Sequence, residues 1–291
     1  MEEKEKSEIK ITNEIEKEKN ENSYELLKNI GKTKKGELFL ISYDINKSGT
    51  KKNYMLNKIN IKSKEEETQI SDEIERIKSL NSKFIIKIYD SFIENQKEKE
   101  YYCIIMENFE KGNLFNLIEQ KYHLNSRLVW RIFIKLVLGI KKFHEKDMIL
   151  QNLCPQNIFI DKEGNVKLGG YGITLDFIIK ESLISYESYY SPEVLKGQNV
   201  NKKSDIWSLG CILYELLFKE KPFKSSDDLF NYNYKITNEC DSDVKYFLSK
   251  LLSQEIKRIS IKELLIDMTF KKKILEVNLF DELVEPTMKG K

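Results

Sequence analysis

The order of apolar and polar positions divides the chain into two territories. Short apolar runs at residues 24–27, 38–41 and 54–59 are separated by polar turns at 32–36 and 46–49, a pattern that predicts strands. The spacing then changes. Ile70, Ile74, Ile77 and Leu80 recur at helical intervals and predict a helix over 64–80. Further strands are predicted at 85–92 and 101–106, around a charged turn at 94–100. Five strands with one inserted helix describe a small α+β lobe. After Phe109 the chain reads as helical, with segments at 114–119, 125–144, 204–218, 227–234, 241–252 and 261–265. The second carries Leu128, Ile132, Ile134, Leu136 and Ile140 at amphipathic spacing, and the third, around Trp207, reads as buried.

One stretch interrupts this helical territory. Residues 148–172 read MILQNLCPQNIFIDKEGNVKLGGYG: a polar loop with Asn152, Pro155 and Asn157, a strand at 158–160, a turn at 163–165, a second strand at 166–168 and a glycine-rich exit. Two strands joined by a tight turn bring the loop and the exit to one place. The resulting division is a charged tail (1–22), a small lobe (23–107), a helical lobe (108–270) and a C-terminal tail (271–291), the last read as docking on the larger lobe or as simple surface packing.

Composition narrows the function classes. Hydrophobic residues make up 40% of the 291 and aromatics 11%, enough for a sizeable core. Lys and Arg total 49 against 47 Asp and Glu, a net charge of +2 that calls for neither nucleic acid nor an anionic membrane as partner. Cys103, Cys154, Cys211 and Cys240 are far apart, and with 2 histidines they form no zinc pattern; thiols in a reducing compartment are expected. No long apolar run and no signal-like start is visible, so the expectation is a cytoplasmic or nuclear protein.

A small β-rich lobe, a helical lobe and the loop–hairpin between 148 and 172 together resemble the eukaryotic protein kinase fold, whose frame is H-R-D-L-x-x-x-N followed by D-F-G. The resemblance runs from about residue 24 to 270. Phrases such as YMLNKINI (54–61), QNIF (156–159), YYSPE (189–193) and KSDIWSLG (203–210) are similar to the NIMA-related (Nek) Ser/Thr kinases. It implies that Glu193 pairs with a buried Arg258, and that Asp205 and Gly210 lie on a helix supporting the loop from beneath. It further places Glu73 on the inserted helix, and Ile77, Ile88, Leu150 and Tyr171 in an apolar spine through both lobes. Nucleotide contacts are implied at Gly31, Gly36, Glu73, Met106 and Asn157. The spacing of Gly31 and Gly36 is equally that of an ordinary hairpin turn.

The same alignment of motifs empties the chemical positions. Asn57 stands at the strand lysine that holds the α and β phosphates, Asn152 at the catalytic aspartate, and Gly170 at the metal-binding aspartate. An amide is no general base, and glycine offers Mg²⁺ no oxygen. Gln151 replaces the phosphate-reading arginine, Cys154 a lysine, and Thr33 the middle glycine of the nucleotide loop; only Asn157 keeps its identity as a metal ligand. Lys58, beside Asn57, should face the opposite side of its strand. A missing base alone removes about a hundred- to ten-thousand-fold of rate.

The expectation is therefore a pseudokinase with no intact catalytic residue and no required cofactor. ATP would bind weakly at most and Mg²⁺ not at all; partners would be other proteins, an active kinase among them. Two alternatives stay open: a residually active Ser/Thr kinase with relocated groups (Lys32, Lys34 or Lys35 for the phosphates, Asp161 or Asp176 for metal), and a switch that binds nucleotide without metal. Asp161 is also read as capping the turn before Gly164. Between 172 and 191, Thr174, Ser182, Ser185, Ser188 and Tyr186 (at the usual Nek threonine) are modification candidates, with no charged partner at Gln151.

Overall fold

The strands form because β-rich runs alternate between two buried faces, and the helices begin where short polar side chains cap them. A computed structural model describes residues 24–33, 35–96, 98–119, 124–161, 164–169, 177–178, 186–237 and 240–279. The small lobe contains β1 (Glu25–Thr33), β2 (Gly36–Tyr43), β3 (Lys52–Ile61), α1 (Lys64–Ser79), β4 (Ile88–Gln96) and β5 (Lys99–Met106). The large lobe carries α2 (Leu114–Glu119), α3 (Ser126–Glu145), a hairpin of β6 (Ile158–Ile160) and β7 (Val166–Leu168), and the two-residue β8 (Phe177–Ile178). It continues through α4 (Pro192–Leu195), α5 (Lys202–Phe218), α6 (Ser226–Phe230), α7 (Ser242–Leu251), α8 (Ile261–Ile266) and α9 (Met268–Glu276).

The small-lobe sheet is antiparallel and ordered β4-β5-β3-β2-β1-β8. The first five strands are those the sequence predicts, giving the five-stranded antiparallel lobe with one helix; β8 joins the β1 edge from far along the chain. Alternation along β3 and β5 sends Met55, Ile59, Tyr102, Ile104 and Met106 to an inner face shared with Ile70, Ile74 and Ile77 of α1. Tyr54, Leu56, Cys103 and Ile105 go to an outer face with Tyr24 and Ile41. Ser63 caps α1 by accepting from the Glu66 amide, and Glu65, Glu66 and Glu67 in its first turn suit the positive end of the helix. Asn125 caps α3 and Asn201 forms a capping box on α5. Helix α5 is buried on every side, with Trp207 at its centre.

Four predicted boundaries shift. Residues 85–87 precede β4 rather than open it: Ile85 bridges Leu168 in parallel and the Ile86 amide donates to the Leu168 carbonyl, so this apolar run ties the lobes together. The charged turn expected at 94–100 shortens, because Glu94 to Gln96 pair with Tyr101 to Lys99. The helix expected at 227–234 is only α6, after which Tyr232 turns the chain at φ +57° and residues 233–237 form no regular element, with Tyr232 and Tyr234 packed about Trp207 and Tyr214. At the C-terminus, α9 crosses the expected boundary at 270, with Phe270, Ile274 and Val277 buried. Among the described residues no helix is long and apolar enough to cross a membrane.

Candidate active site

The loop at 150–157 is held from below by one carboxylate. Asp205, 1% exposed on α5, accepts from the Leu150 amide (3.0 Å), from the Gln151 amide (3.2 Å) and from His144 Nε2 (2.8 Å). These bonds fix Gln151 at φ +68°, a conformation that side chains larger than glycine resist. Gly210, one helical turn and a half further along α5, lets α7 approach: a Cβ there would come within 2.8 Å of Leu252. Glu193 and Arg258 meet in a two-pronged pair (2.5 and 3.1 Å), with Arg258 also donating to the Ser253 and Lys203 carbonyls and lying over the Trp207 ring. Burial pushes the Glu193 carboxyl up, but the hydrogen bonds and charge of Arg258 outweigh it and hold it below the usual carboxylate range.

At the mouth of the loop, Asn157 donates its amide to the Asn152 carbonyl (2.9 Å), and its own carbonyl accepts from the Gly169 amide (2.8 Å). Asn157 thus closes the loop onto the hairpin, a structural role independent of metal. The Asn152 side-chain oxygen accepts from the hydroxyl of Tyr190 at 3.4 Å. Next door, Tyr189 donates to the buried Glu215 (2.6 Å). Desolvation pushes the Glu215 carboxyl up, and it pushes the Tyr189 phenol up as well.

Across the cleft, Asn57 is 0% exposed on the inner face of β3. Gly36 packs so closely over β3 that a Cβ would overlap the Lys58 carbonyl and reach within 3.0 Å of Asn57 Oδ1. Strand packing therefore accounts for Gly36. Gly31 lies at a register irregularity of β1, and its amide donates to Asn29 Oδ1 (3.1 Å). Lys58 lies on the outer face, where it pairs with Glu94 (3.3 Å) and bonds Gln96 (3.1 Å) over the Tyr101 ring. Lys35 pairs with Glu66 of α1 (2.8 Å), Lys32 is exposed, and Lys34 lies outside the described residues. Asp161 gives both carboxylate oxygens to Asn165, capping the hairpin turn.

The remaining walls of the cleft are closed by side chains. Leu38, Met55 and Met106 above, and Phe159 below, are each 3% exposed or less, and Phe159 stacks on Phe109 at 4.9 Å between centroids. Gly169 faces that ring so tightly that a Cβ would fall 2.5 Å from it. Ile77, Ile88 and Leu150 are buried in one core with these residues; Glu73 is half-buried on α1. Gly170 and Tyr171, together with Thr174, Asp176, Ser182 and Ser185, lie outside the described residues; Ser188 is half-buried, and Tyr186 opens the 3-10 turn Tyr186–Tyr189. Sequence reasoning missed Tyr190, Phe109 and Phe159. The YYSPE phrase was the available signal for the first, whereas the stacked pair becomes visible only in three dimensions.

The donor set among the described residues does not fit a magnesium nucleotide. Among the described residues no three His, Cys, Asp or Glu side chains converge as metal ligands. The Asn157 side chain, whose amide donates to the Asn152 carbonyl, can offer at most one neutral oxygen, and Mg²⁺ prefers several hard, anionic oxygens.

Comparison with known proteins agrees with the geometry. A family model described as "Protein kinase domain" matches residues 24–270. The chain is 31% identical over 228 residues to serine/threonine-protein kinase nekl-2 of Caenorhabditis elegans, covering 70% of this chain and 62% of that one. It is 32% identical over 171 residues to serine/threonine-protein kinase Nek2 of Homo sapiens (54% and 38%), and 31% identical over 243 residues to serine/threonine-protein kinase Nek7 of Arabidopsis thaliana (81% and 41%). The chain spans less than two thirds of the length of each of these relatives.

Proposed function

Because this chain belongs to the protein kinase domain family, with Nek-like sequence, we propose that it is a member that has kept the fold and lost phosphoryl transfer. It serves as a scaffold or allosteric regulator for other proteins, an active kinase among them. The observation that carries this reading is the burial of Asn57. Phosphoryl transfer needs a fixed positive charge against the nucleotide phosphates, and the residue at that place is neutral and sealed in the core. The Tyr190 hydroxyl on Asn152 adds to it: the position that would orient an acceptor hydroxyl already meets one from the protein itself.

Relocated catalysis is disfavoured by particular contacts. Lys35 is committed to Glu66, Lys58 to the outer face and both Asp161 oxygens to Asn165. In this reading ATP is not a required cofactor and Mg²⁺ has no site. The test is a thermal-shift series with ATP, in Mg²⁺ and in EDTA, beside a phosphorylation assay on protein freed of contaminating kinases. No shift and no labelling are expected. Mg²⁺-dependent labelling that follows the protein through purification overturns the proposal, and a shift in EDTA without labelling replaces it with a metal-free nucleotide switch.

A further inference from the structure

The most distant pairing in the small-lobe sheet is also the smallest. Strand β8 comes from beyond the β6–β7 hairpin, yet it pairs antiparallel with the far end of β1, Ile178 opposite Lys32 and Phe177 opposite Thr33. Those β1 residues enter the turn that, in this fold, roofs the phosphates. On its other side β8 lies against the 3-10 turn Pro155–Asn157 of the loop below. Two residues of backbone therefore stand between roof and floor at the end of the cleft where a nucleotide would carry its phosphates.

We propose that Phe177–Ile178 is a built-in strap that takes the place of the nucleotide: it ties the roof of the cleft to its floor and holds the two lobes in one arrangement without ligand. The inference rests on the inactive reading above and adds a structural agent to it. A bound nucleotide joins the lobes by meeting backbone amides of the roof and polar groups of the floor. The strap supplies a backbone ladder to the roof and brings that backbone close to the Pro155–Asn157 turn of the floor. It also covers an edge, since the end of β1 would otherwise offer unpaired backbone groups to another strand. By occupying the space itself, the strap keeps anionic ligands out.

The pairing gives a direct test. Thr33 and Phe177 are opposed in register, and residues opposed across antiparallel strands have Cα separations of about 4.5–5.5 Å, within disulfide range. Thr33→Cys/Phe177→Cys, in a Cys240→Ser background that leaves the three buried native thiols, should cross-link on mild oxidation of the folded full chain. Phe177→Pro/Ile178→Pro removes both strand amides and should lower hydrogen-exchange protection at residues 32–33 by at least about tenfold, with the α5 amides unchanged. Failure to cross-link while the protein is folded, or unchanged protection at 32–33 in the proline variant, overturns the strap. These readouts involve no nucleotide. Activity in the labelling assay would therefore sink the inactive reading without being confused with failure of the strap.

Discussion

Replacing Asp205 tests whether the loop at 150–157 is held as architecture, whatever chemistry it carries. Three donors converge on this one carboxylate: the Leu150 and Gln151 amides and His144 Nε2. A buried donor left without its acceptor costs about 1–3 kcal/mol. Asp205→Ala strands three, one of them beside the left-handed Gln151, whose conformation these bonds impose. Relaxation of Gln151 recovers part of the loss, so Asp205→Ala is expected to destabilise by about 3–6 kcal/mol. Asp205→Asn keeps one acceptor oxygen and should cost roughly 1–3 kcal/mol. Urea titration at neutral pH measures both, and hydrogen exchange at Leu150 and Gln151 localises the effect. An Asp205→Ala loss below about 1 kcal/mol, with protection retained at those two amides, would refute the argument that this carboxylate sets the loop.

Four further outcomes follow from other contacts in the structure. Arg258→Lys should cost about 3–5 kcal/mol in urea, because a lysine cannot serve both Glu193 oxygens and the Ser253 and Lys203 carbonyls together. The folded Glu193 carboxyl is held below its unfolded value, so the pair's stabilisation is complete above the ordinary carboxylate range and is lost as pH falls through the depressed folded value; Glu193→Gln should remove that slope from an acid titration. Gly169→Ala should destabilise by about 1–3 kcal/mol through overlap with a Phe159 ring that Phe109 pins from the other side, measured as a lowered melting temperature. Lys58→Met should cost about 3–5 kcal/mol by leaving Glu94 buried beside Tyr24, with most of the loss recovered in Lys58→Met/Glu94→Gln and any response to ATP unchanged.

The elements most legible in the sequence were those with local causes. The start of α1 is written in Ser63 and the glutamates after it, α3 in Asn125, and the two faces of β3 in a strict alternation that also sends Lys58 outward. What escaped depends on partners far along the chain. The run at 85–87 has the composition of a strand, but its Ile86 amide bonds the Leu168 carbonyl of β7 far along the chain and Ile85 bridges the same residue, so it ends as a lobe-to-lobe tie. Strand β8 is two residues whose partners are on β1. The expectation that Asn57, Asn152 and Gly170 leave the chemical positions empty rested on residue identity alone. The sealing of Asn57 could not be read that way, because burial depends on how closely β2 settles over β3 at Gly36.

Helix α9 bears on where this domain can be cut. The protein kinase domain match ends at residue 270, in the first turn of a helix that continues to Glu276. Past that point Ile274, Val277 and Leu279 enter the core, Lys273 joins Asp243, and the Val277 carbonyl accepts from Arg131 of α3. Trimming at the family boundary would strip these side chains from the base of the large lobe and open an apolar face along α3. The smallest self-sufficient fragment of this lobe therefore extends through Leu279, and tags or fusions belong beyond it.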